Sequence, residues 1–457
     1  MIKGANQAFI HRTIVSKTVF WVCLLVVGSV LLTFALTHAY VGDESFHLLA
    51  AKLIAAGKRP YVDFFYQHPP LFTCLSAALM RIFGSGWRGT HLFSTLLLIG
   101  SIIFAAAYAR SFFAEQRYAW FCAALVPILI GLNCYVLVFA TTGLPFGFCL
   151  FCLSAALYFC LRDTTKTAVI AGVFAAAAVA SNFLTLPALL IFFFWFCQRG
   201  KKSALLFTVG ALCALSPLLV FLLVWPKQVV FNLVEYHLYY RPSLGWRFNL
   251  HETAVWLFSI QGVTLSVAAV SCFWFRKDPP VRLCGAVALA LGVVTASVKT
   301  TSAFYFLLLT PFLAILAAVA TTELTQRFRQ QGNFIVLGTL ALYLVGMLGL
   351  KYVWRWQAPY TDHRMVNTAL ERLESCAPDG DFYAIEAIYF EGSHLPPPGM
   401  ENRFDPNFTG NQLLAEGRVK ALLIGATNPA IEKFDLEKRY PIYAPLENDS
   451  DWLIFCR

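Results

Sequence analysis

Long apolar stretches follow one another along the chain as far as about residue 354, and polar residues are confined mainly to short breaks between them. A helix that crosses the hydrocarbon core of a bilayer needs about 20 predominantly apolar residues. The pattern therefore predicts a bundle of about eleven transmembrane helices. The expected spans are 18–40, 88–109, 118–139, 143–161, 167–181, 183–197, 203–225, 253–275, 282–298, 302–322 and 334–354. The two spans on either side of Ser181 and Asn182 are short, and they form either a tightly turned pair or a re-entrant hairpin.

The chain changes character after about residue 355, where Asp, Glu, Pro and Gly become frequent and only short apolar runs remain. Two of these runs, Ala421–Gly425 and 451–455, are typical of buried strands. About 100 residues are enough for a small α/β domain. We therefore expect a mainly α protein, with a polytopic transmembrane domain over residues 1–355 and a small extracytoplasmic α/β domain over residues 356–457.

Composition also indicates a membrane protein. Of the 457 residues, 58% are hydrophobic and only 13% are charged, whereas a soluble domain has about 25% charged residues. The net charge of +10 would favour a nucleic-acid partner in a soluble protein, but the basic residues lie mainly in the short breaks, as the positive-inside rule describes. We expect no nucleic-acid partner. The distribution predicts a multi-pass protein of the plasma (inner) membrane, with the N-terminus cytoplasmic and the C-terminal domain extracytoplasmic.

Candidate chemistry concentrates in the first outside loop, at about residues 41–87. The pair Asp43-Glu44 comes directly after the first predicted helix, and two adjacent carboxylates at a membrane surface are costly unless they are paired or used. The alternative is a solvated helix cap, because an acidic residue at a helix start is stabilised by the helix dipole. Helical spacing over 45–56 and the short apolar run 71–83 predict two helices that lie along the interface.

The same loop contains Gly57-x-x-Pro60-Tyr61-x-Asp63 and then Pro69-Pro70-Leu71. Together with the acidic pair, these motifs resemble the first loop of the GT-C glycosyltransferases, in the bacterial branch related to protein O-mannosyltransferases and lipid A aminoarabinose transferase (glycosyltransferase family 39). The resemblance implies a helical bundle of GT-C type that transfers a hexosyl or pentosyl group, with inversion, from a polyprenyl-phosphate carrier. The implied acceptor is a glycolipid, a polysaccharide or a protein at the outer face of the membrane, and lipids surround the bundle.

Carried over onto this chain, the resemblance implies that Asp43 is the catalytic carboxylate and that Glu44 is its neighbour in the site. His68 stands just before Pro-Pro, where related enzymes place a lysine that contacts the carrier phosphate, and Gln67 replaces an acidic residue. Tyr61 and Asp63 of the second motif are then substrate-binding candidates.

The leaving phosphate of such a reaction needs cations. Lys299, close before Tyr305 in an apolar stretch, matches a basic residue and a tyrosine of the family, although it could also be a lysine that extends to the outer interface. Arg241 and His237 of the second outside loop (about 226–252) are further substrate-binding candidates, and the aromatic residues around them form either a sugar platform or an interfacial belt. Lys58, Arg59 and Arg247 are further candidate cations of the outside loops.

No cofactor is certain from the sequence. His47 stands four residues after Asp43, so both could face one side of a helix. A divalent metal held by Asp43, Glu44 and His47 therefore remains an alternative.

A membrane transporter or lipid flippase is the rival function. It would place ionisable residues deep inside the helices, along a path, whereas here the charges gather at the outer rim.

The C-terminal domain contains two cysteines, Cys376 and Cys456. An outside location is oxidising in a bacterium, and a bond between them would close a long loop and stabilise a small domain. We expect a disulfide, and the alternative is a pair of free cysteines buried as small apolar groups.

Overall fold

The structure is a computed structural model that describes residues 2–38, 40–84, 86–162, 164–328, 332–349, 363–402, 405–406, 412, 416–428, 430–433, 435–440, 442–446 and 449–457. Helices dominate this part of the chain up to residue 349, as expected of a mainly α protein. They are α1 (Ile2–Thr37), α2 (Glu44–Ala55), α3 (Leu71–Phe83), α4 (Trp87–Arg110), α5 (Gln116–Gly131), α6 (Cys134–Phe139), α7 (Phe146–Phe159), α8 (Thr165–Val179), α9 (Leu186–Gln198), α10 (Lys201–Val224), α11 (Pro226–Val230), α12 (Gly245–Leu257), α13 (Ile260–Phe275), α14 (Pro279–Ser297), α15 (Thr310–Arg327) and α16 (Gly332–Val345). A π-helix (Phe231–Tyr240) and 3-10 turns (Phe183–Thr185, Ala303–Leu309 and Gly346–Gly349) connect some of them.

Five of the described helical stretches are long and apolar enough to cross a membrane. They are Val15–Thr37, α4, α10, α14 and the continuous run Ala303–Arg327. The pair α12 and α13, bent by 77°, would be a sixth if it counts as one span. Most of the other predicted spans appear as shorter apolar helices of 10–17 residues. The helical bundle is confirmed, and the end of the last expected span, 334–354, lies outside the described residues.

Two of the expected spans, 118–139 and 253–275, were wrong in being drawn as continuous helices. The side chain of Asn133 accepts hydrogen bonds from two backbone N–H groups at the start of α6, and Ser259 accepts one at the start of α13. Asn and Ser in this position satisfy N–H groups that have no partner within the helix. Each polar residue therefore begins a new helix inside an apolar run.

The chain divides into two compact units, and each unit is made of three separate stretches of the sequence. The first unit contains residues 1–37, 91–220 and 241–354. Its helices approach closely at small residues: a Cβ atom added to Gly172 of α8 would overlap the carbonyl oxygen of Phe207 in α10. The second unit contains residues 38–90, 221–240 and 355–457. The expected domain boundary at 355 lies outside the described residues, and that division stays a prediction.

The C-terminal part of the second unit is the expected small α/β fold. Helices α17 (His363–Cys376) and α18 (Glu386–Glu391) and the short helices α19 (Ala430–Lys433) and α20 (Leu436–Arg439) accompany the strands β1 (Phe382–Tyr383), β2 (Ala421–Gly425), β3 (Ile442–Leu446) and β4 (Asp449–Cys456). The sheet order is β1-β2-β4-β3, with β1 and β2 parallel and the other pairs antiparallel. Its core contains Val419, Leu422, Ile424, Leu436, Tyr440 and Phe455.

The predicted disulfide is confirmed. Cys376 at the end of α17 is bonded to Cys456 at the end of β4, and their Cα atoms are 5.7 Å apart. The bond closes a sequence separation of 80 residues.

Candidate active site

The acidic pair stands at the start of α2, and its two members have different surroundings. Gly42, with φ of +52°, turns the chain into the helix, and Asp43 takes the N-cap position with an exposed side chain. The side chain of Glu44 is fully buried, and its Oε2 atom accepts a hydrogen bond of 3.1 Å from the backbone N–H of Val41. Glu44 thus stabilises the turn, while Asp43 can meet another molecule.

His47, one helical turn after Asp43, is buried beside Tyr66. Its Nδ1 atom lies 2.9 Å from the hydroxyl of Tyr66, which also hydrogen-bonds with the hydroxyl of Thr73. Burial lowers the pKa of His47 to about 3, so the imidazole is neutral at physiological pH. His47, Tyr66 and Thr73 therefore connect α2 to α3 through uncharged groups.

The second motif forms a tight turn before the two prolines. Tyr61 is buried and has φ of +70°, a left-handed conformation that residues other than glycine rarely adopt. Its hydroxyl donates to the carbonyl oxygen of His68 at 2.8 Å. Asp63 accepts hydrogen bonds from the guanidinium and the backbone N–H of Arg59, at 2.7 to 3.0 Å. The Arg59 guanidinium lowers the pKa of Asp63 to about 2, so this carboxylate stabilises the turn as an anion.

His68 lies between two other histidines of the same unit. The centroid of its ring is 4.8 Å from that of His47 and 6.4 Å from that of His237. The Nε2 atom of His237 donates to the carbonyl oxygen of Gln67 at 2.9 Å. Two predicted substrate-binding residues, His68 and His237, are thus brought together near the start of α2.

Arg241 and Tyr305 are brought together in the first unit. The Nη2 atom of Arg241 is 3.4 Å from the hydroxyl of Tyr305 and 3.4 Å from the carbonyl oxygen of Thr300. Lys299, half-buried, is the residue directly before Thr300. A guanidinium, an ammonium and a phenol therefore belong to one short region of this unit.

Two residues of α12 hold the loop that contains Lys299. Asn249 donates to the carbonyl oxygen of Val298 at 2.6 Å and accepts from the backbone N–H of Thr301 at 2.9 Å. The buried Glu252 accepts from the backbone N–H of Ala303 at 2.9 Å. Neither residue could be predicted from the sequence, because each lies within an amphipathic stretch without a recognisable motif.

Comparison with known proteins finds similarity to solved structures. No family model and no curated protein matches the chain. Among solved structures, it resembles the ArnT of Cupriavidus metallidurans bound to undecaprenyl phosphate, with a TM-score of 0.68 and 15% identity over 95% of this chain and 97% of that one. The same ArnT in the apo state gives a TM-score of 0.70 and 15% identity over 96% and 98% of the two chains. An Archaeoglobus fulgidus oligosaccharyltransferase in complex with zinc and sulfate gives a TM-score of 0.53 and 12% identity over 88% and 68%.

The chain has the GT-C fold. In this GT-C fold, the predicted site residues fall into two groups. Those of the second unit are Asp43, Glu44, Tyr61, Asp63, His68 and His237, and those of the first unit are Arg241, Lys299 and Tyr305. Their roles toward a substrate stay predictions.

The suggested metal set does not form a recognisable centre. Among the described residues, no three His, Cys, Asp or Glu side chains are grouped so that they could hold a metal ion. Glu44 bonds a backbone N–H group, and His47 bonds Tyr66. We therefore derive no step through a metal ion.

The C-terminal domain contributes contacts that the sequence did not predict. Lys52 of α2 donates to the carbonyl oxygens of Tyr389 (2.8 Å), Phe390 (3.1 Å) and Gly392 at the end of α18. Tyr40, just before the acidic pair, donates to the carboxylate of Glu391. These contacts attach α18 to the segment that carries Asp43.

Proposed function

We propose that the protein is a membrane glycosyltransferase of the GT-C type. It moves a sugar from a polyprenyl-phosphate carrier to an acceptor at the outer face of the inner membrane, and the transfer inverts the anomeric centre. The observation that carries this proposal is the likeness in fold, along 95% of the chain, to an ArnT bound to undecaprenyl phosphate. The arrangement of the acidic pair gives it further support.

Asp43 is the general base of the proposed reaction. The acceptor hydroxyl attacks the anomeric carbon of the sugar, its proton passes to the Asp43 carboxylate, and the bond between this carbon and the phosphate oxygen breaks. The carboxylate of Asp43 is exposed and can approach an acceptor, whereas that of Glu44 is fully buried. The difference in burial supports Asp43 over Glu44 for this step.

The leaving polyprenyl phosphate gains negative charge as the bond breaks, and fixed cations and hydroxyl donors stabilise such charge. Lys299 and Arg241 are the cations that we assign to it, with Tyr305 as a hydroxyl donor. The contact between Arg241 and Tyr305 supports this assignment. We assign to His68 a further contact with the carrier phosphate, and to Tyr61, Asp63 and His237, of the same unit, contacts with the substrate.

The test is transfer by the purified full-length protein. It is incubated with a panel of labelled polyprenyl-phosphate hexoses and pentoses and with glycolipid, polysaccharide and protein acceptors, with and without EDTA. We expect a labelled acceptor with at least one donor, and transfer lower by roughly a hundredfold or more with the Asp43→Asn variant. Transfer from no carrier-linked sugar, or equal transfer by the variant, would refute the proposal. Loss of transfer in EDTA would show that the reaction needs a divalent metal, and it would not identify Asp43, Glu44 and His47 as the ligands.

A further inference from the structure

The segment 65–68, which ends in His68, has irregular backbone and is followed by two prolines. Phe65, Tyr66 and Gln67 are buried, with 6%, 0% and 9% of their surface exposed. Backbone groups in such a segment have no ladder or helix partners, and each buried group left unpaired costs about 1–3 kcal/mol. Side chains from other parts of the unit must therefore hold it.

Two buried asparagines, far from the segment and from each other in the sequence, hold it. Asn232 of the π-helix accepts on Oδ1 a hydrogen bond of 2.7 Å from the backbone N–H of Tyr66. Asn402 of the C-terminal domain donates from Nδ2 to the carbonyl oxygen of Phe65 at 3.2 Å and to Oε1 of Gln67 at 3.4 Å. Their exposed fractions are 3% and 2%. One asparagine satisfies a donor of the segment and the other satisfies two acceptors.

The orientation of Asn232 is itself fixed. Its Nδ2 atom donates to the carbonyl oxygen of Gln228, one turn earlier, at 2.8 Å. This bond directs the amide oxygen to Tyr66. Two further side chains hold the same segment: Tyr61 donates a hydrogen bond to the carbonyl oxygen of His68, and His237 donates one to the carbonyl oxygen of Gln67.

We infer that Asn232 and Asn402 are positioning residues for His68, and that they hold its imidazole where the carrier phosphate binds. The inference rests on the proposed function, because the phosphate contact of His68 is part of it. Neither asparagine touches the phosphate. Both act by fixing the backbone on which the imidazole stands, so the C-terminal domain takes part in binding the donor.

Asn232 accepts a hydrogen bond from the segment, whereas Asn402 donates to it. Substitutions at the two positions therefore test the two kinds of bond separately. Asn232→Asp keeps the acceptor that Tyr66 needs but loses the donor to Gln228, whereas Asn232→Leu removes both bonds. Asn402→Asp replaces a donor with a carboxylate that faces two acceptors, and Asn402→Ser removes the amide without adding charge. Asn428→Asp, an exposed position in the same domain, is the control for the added charge.

Two measurements are made on the full-length protein in detergent. Hydrogen–deuterium exchange of peptides covering 62–70 reports how firmly the segment is held, and titration with undecaprenyl phosphate reports donor-site affinity. We expect Asn402→Asp and Asn232→Leu to lose about tenfold in affinity, the equivalent of one hydrogen bond, and to exchange faster over 62–70. Asn232→Asp should lose clearly less than Asn232→Leu, and Asn402→Ser should lose less than Asn402→Asp. The Asn428→Asp control should behave as wild type.

An effect of Asn232→Asp as large as that of Asn232→Leu, or exchange over 62–70 that does not respond, would overturn the inference. If exchange follows the expected order but affinity does not change, the asparagines are structural only, and the inference is again overturned. A wild-type protein that binds no undecaprenyl phosphate would instead refute the proposed function. In that case the exchange pattern still decides whether the two asparagines hold the segment. Should Asn402→Asp fail to fold, Asn402→Ser against Asn428→Asp decides the same question.

Discussion

Lys52 should be the residue on which the attachment of the C-terminal domain to α2 most depends. Its ammonium donates to three carbonyl oxygens at the end of α18. The last carbonyls of a helix have no partner within the helix, and a cation there is also favoured by the helix dipole. Burial lowers the pKa of Lys52, which means that part of this gain is offset by desolvation of the ammonium.

The size of the effect follows from these contacts. Three hydrogen bonds to a charged donor at about 1.5 kcal/mol each give about 4.5 kcal/mol. Desolvation of a partly buried ammonium offsets about 1–2 kcal/mol of this stabilisation. Lys52→Met keeps the apolar stem and removes the donors, so it should destabilise the attachment by about 3 kcal/mol. Lys52→Arg keeps a cation with several donors and should recover most of the loss.

Hydrogen–deuterium exchange of peptides from α2 and α18, together with thermal unfolding in detergent, measures the effect. Lys420→Met is the matched control, because Lys420 is an exposed lysine of the same domain that pairs with Asp379, and exposed pairs contribute little. Faster exchange in both helices is expected for Lys52→Met alone. If Lys52→Met is indistinguishable from the control, Lys52 does not hold α18, and the reasoning is wrong.

Four further predictions concern single side chains. Asp43→Asn should lower turnover roughly a hundredfold or more. It should not change the unfolding temperature, since the Asp43 side chain makes no capping hydrogen bond to α2 and Asn is also preferred at this position. Glu44→Ala should lower stability by about 1–3 kcal/mol by leaving a buried N–H group unpaired. Lys299→Met should weaken binding of undecaprenyl phosphate about tenfold at unchanged stability; unchanged affinity in a titration would assign this lysine to the membrane interface. Burial raises the pKa of Glu391 from 4.5 to about 7. Between these pH values the carboxyl group is protonated in the folded protein and ionised in the unfolded chain, so the free energy of unfolding falls as the pH rises through this range. Glu391→Gln should therefore raise the unfolding temperature at pH 8 and leave it unchanged at pH 4, and equal shifts at both values would contradict the assignment.

Local pattern was sufficient to predict much of this fold. The helical spacing of 45–56 and the apolar run 71–83 correspond to α2 and α3, and Ala421–Gly425 is β2. In each case the residues that determine the element are its own, because burial of one face requires a fixed period. The disulfide could be predicted for a similar reason, since the C-terminal domain contains only two cysteines.

Single polar residues within apolar runs were harder to interpret. Asn133 and Ser259 end one helix and begin another, although the hydropathy on either side is continuous. The available signal was the residue type, because Asn and Ser are preferred N-caps. Hydropathy averaged over a window of about 19 residues suppresses such a signal.

The contacts of the C-terminal domain could not be predicted from the sequence, and the reason is physical. Asn402 and Lys52 bond partners 335–340 positions away in the chain, and a single buried hydrogen bond leaves no periodic trace in the sequence. Their residue types are common on any surface, so only burial distinguishes them. Because the same unit contains both the loop with Asp43 and the domain after 355, a substitution at a buried polar residue of that domain can change donor binding without touching a substrate. We therefore expect variants such as Asn402→Asp to behave as binding variants, although the sequence places them in a separate domain.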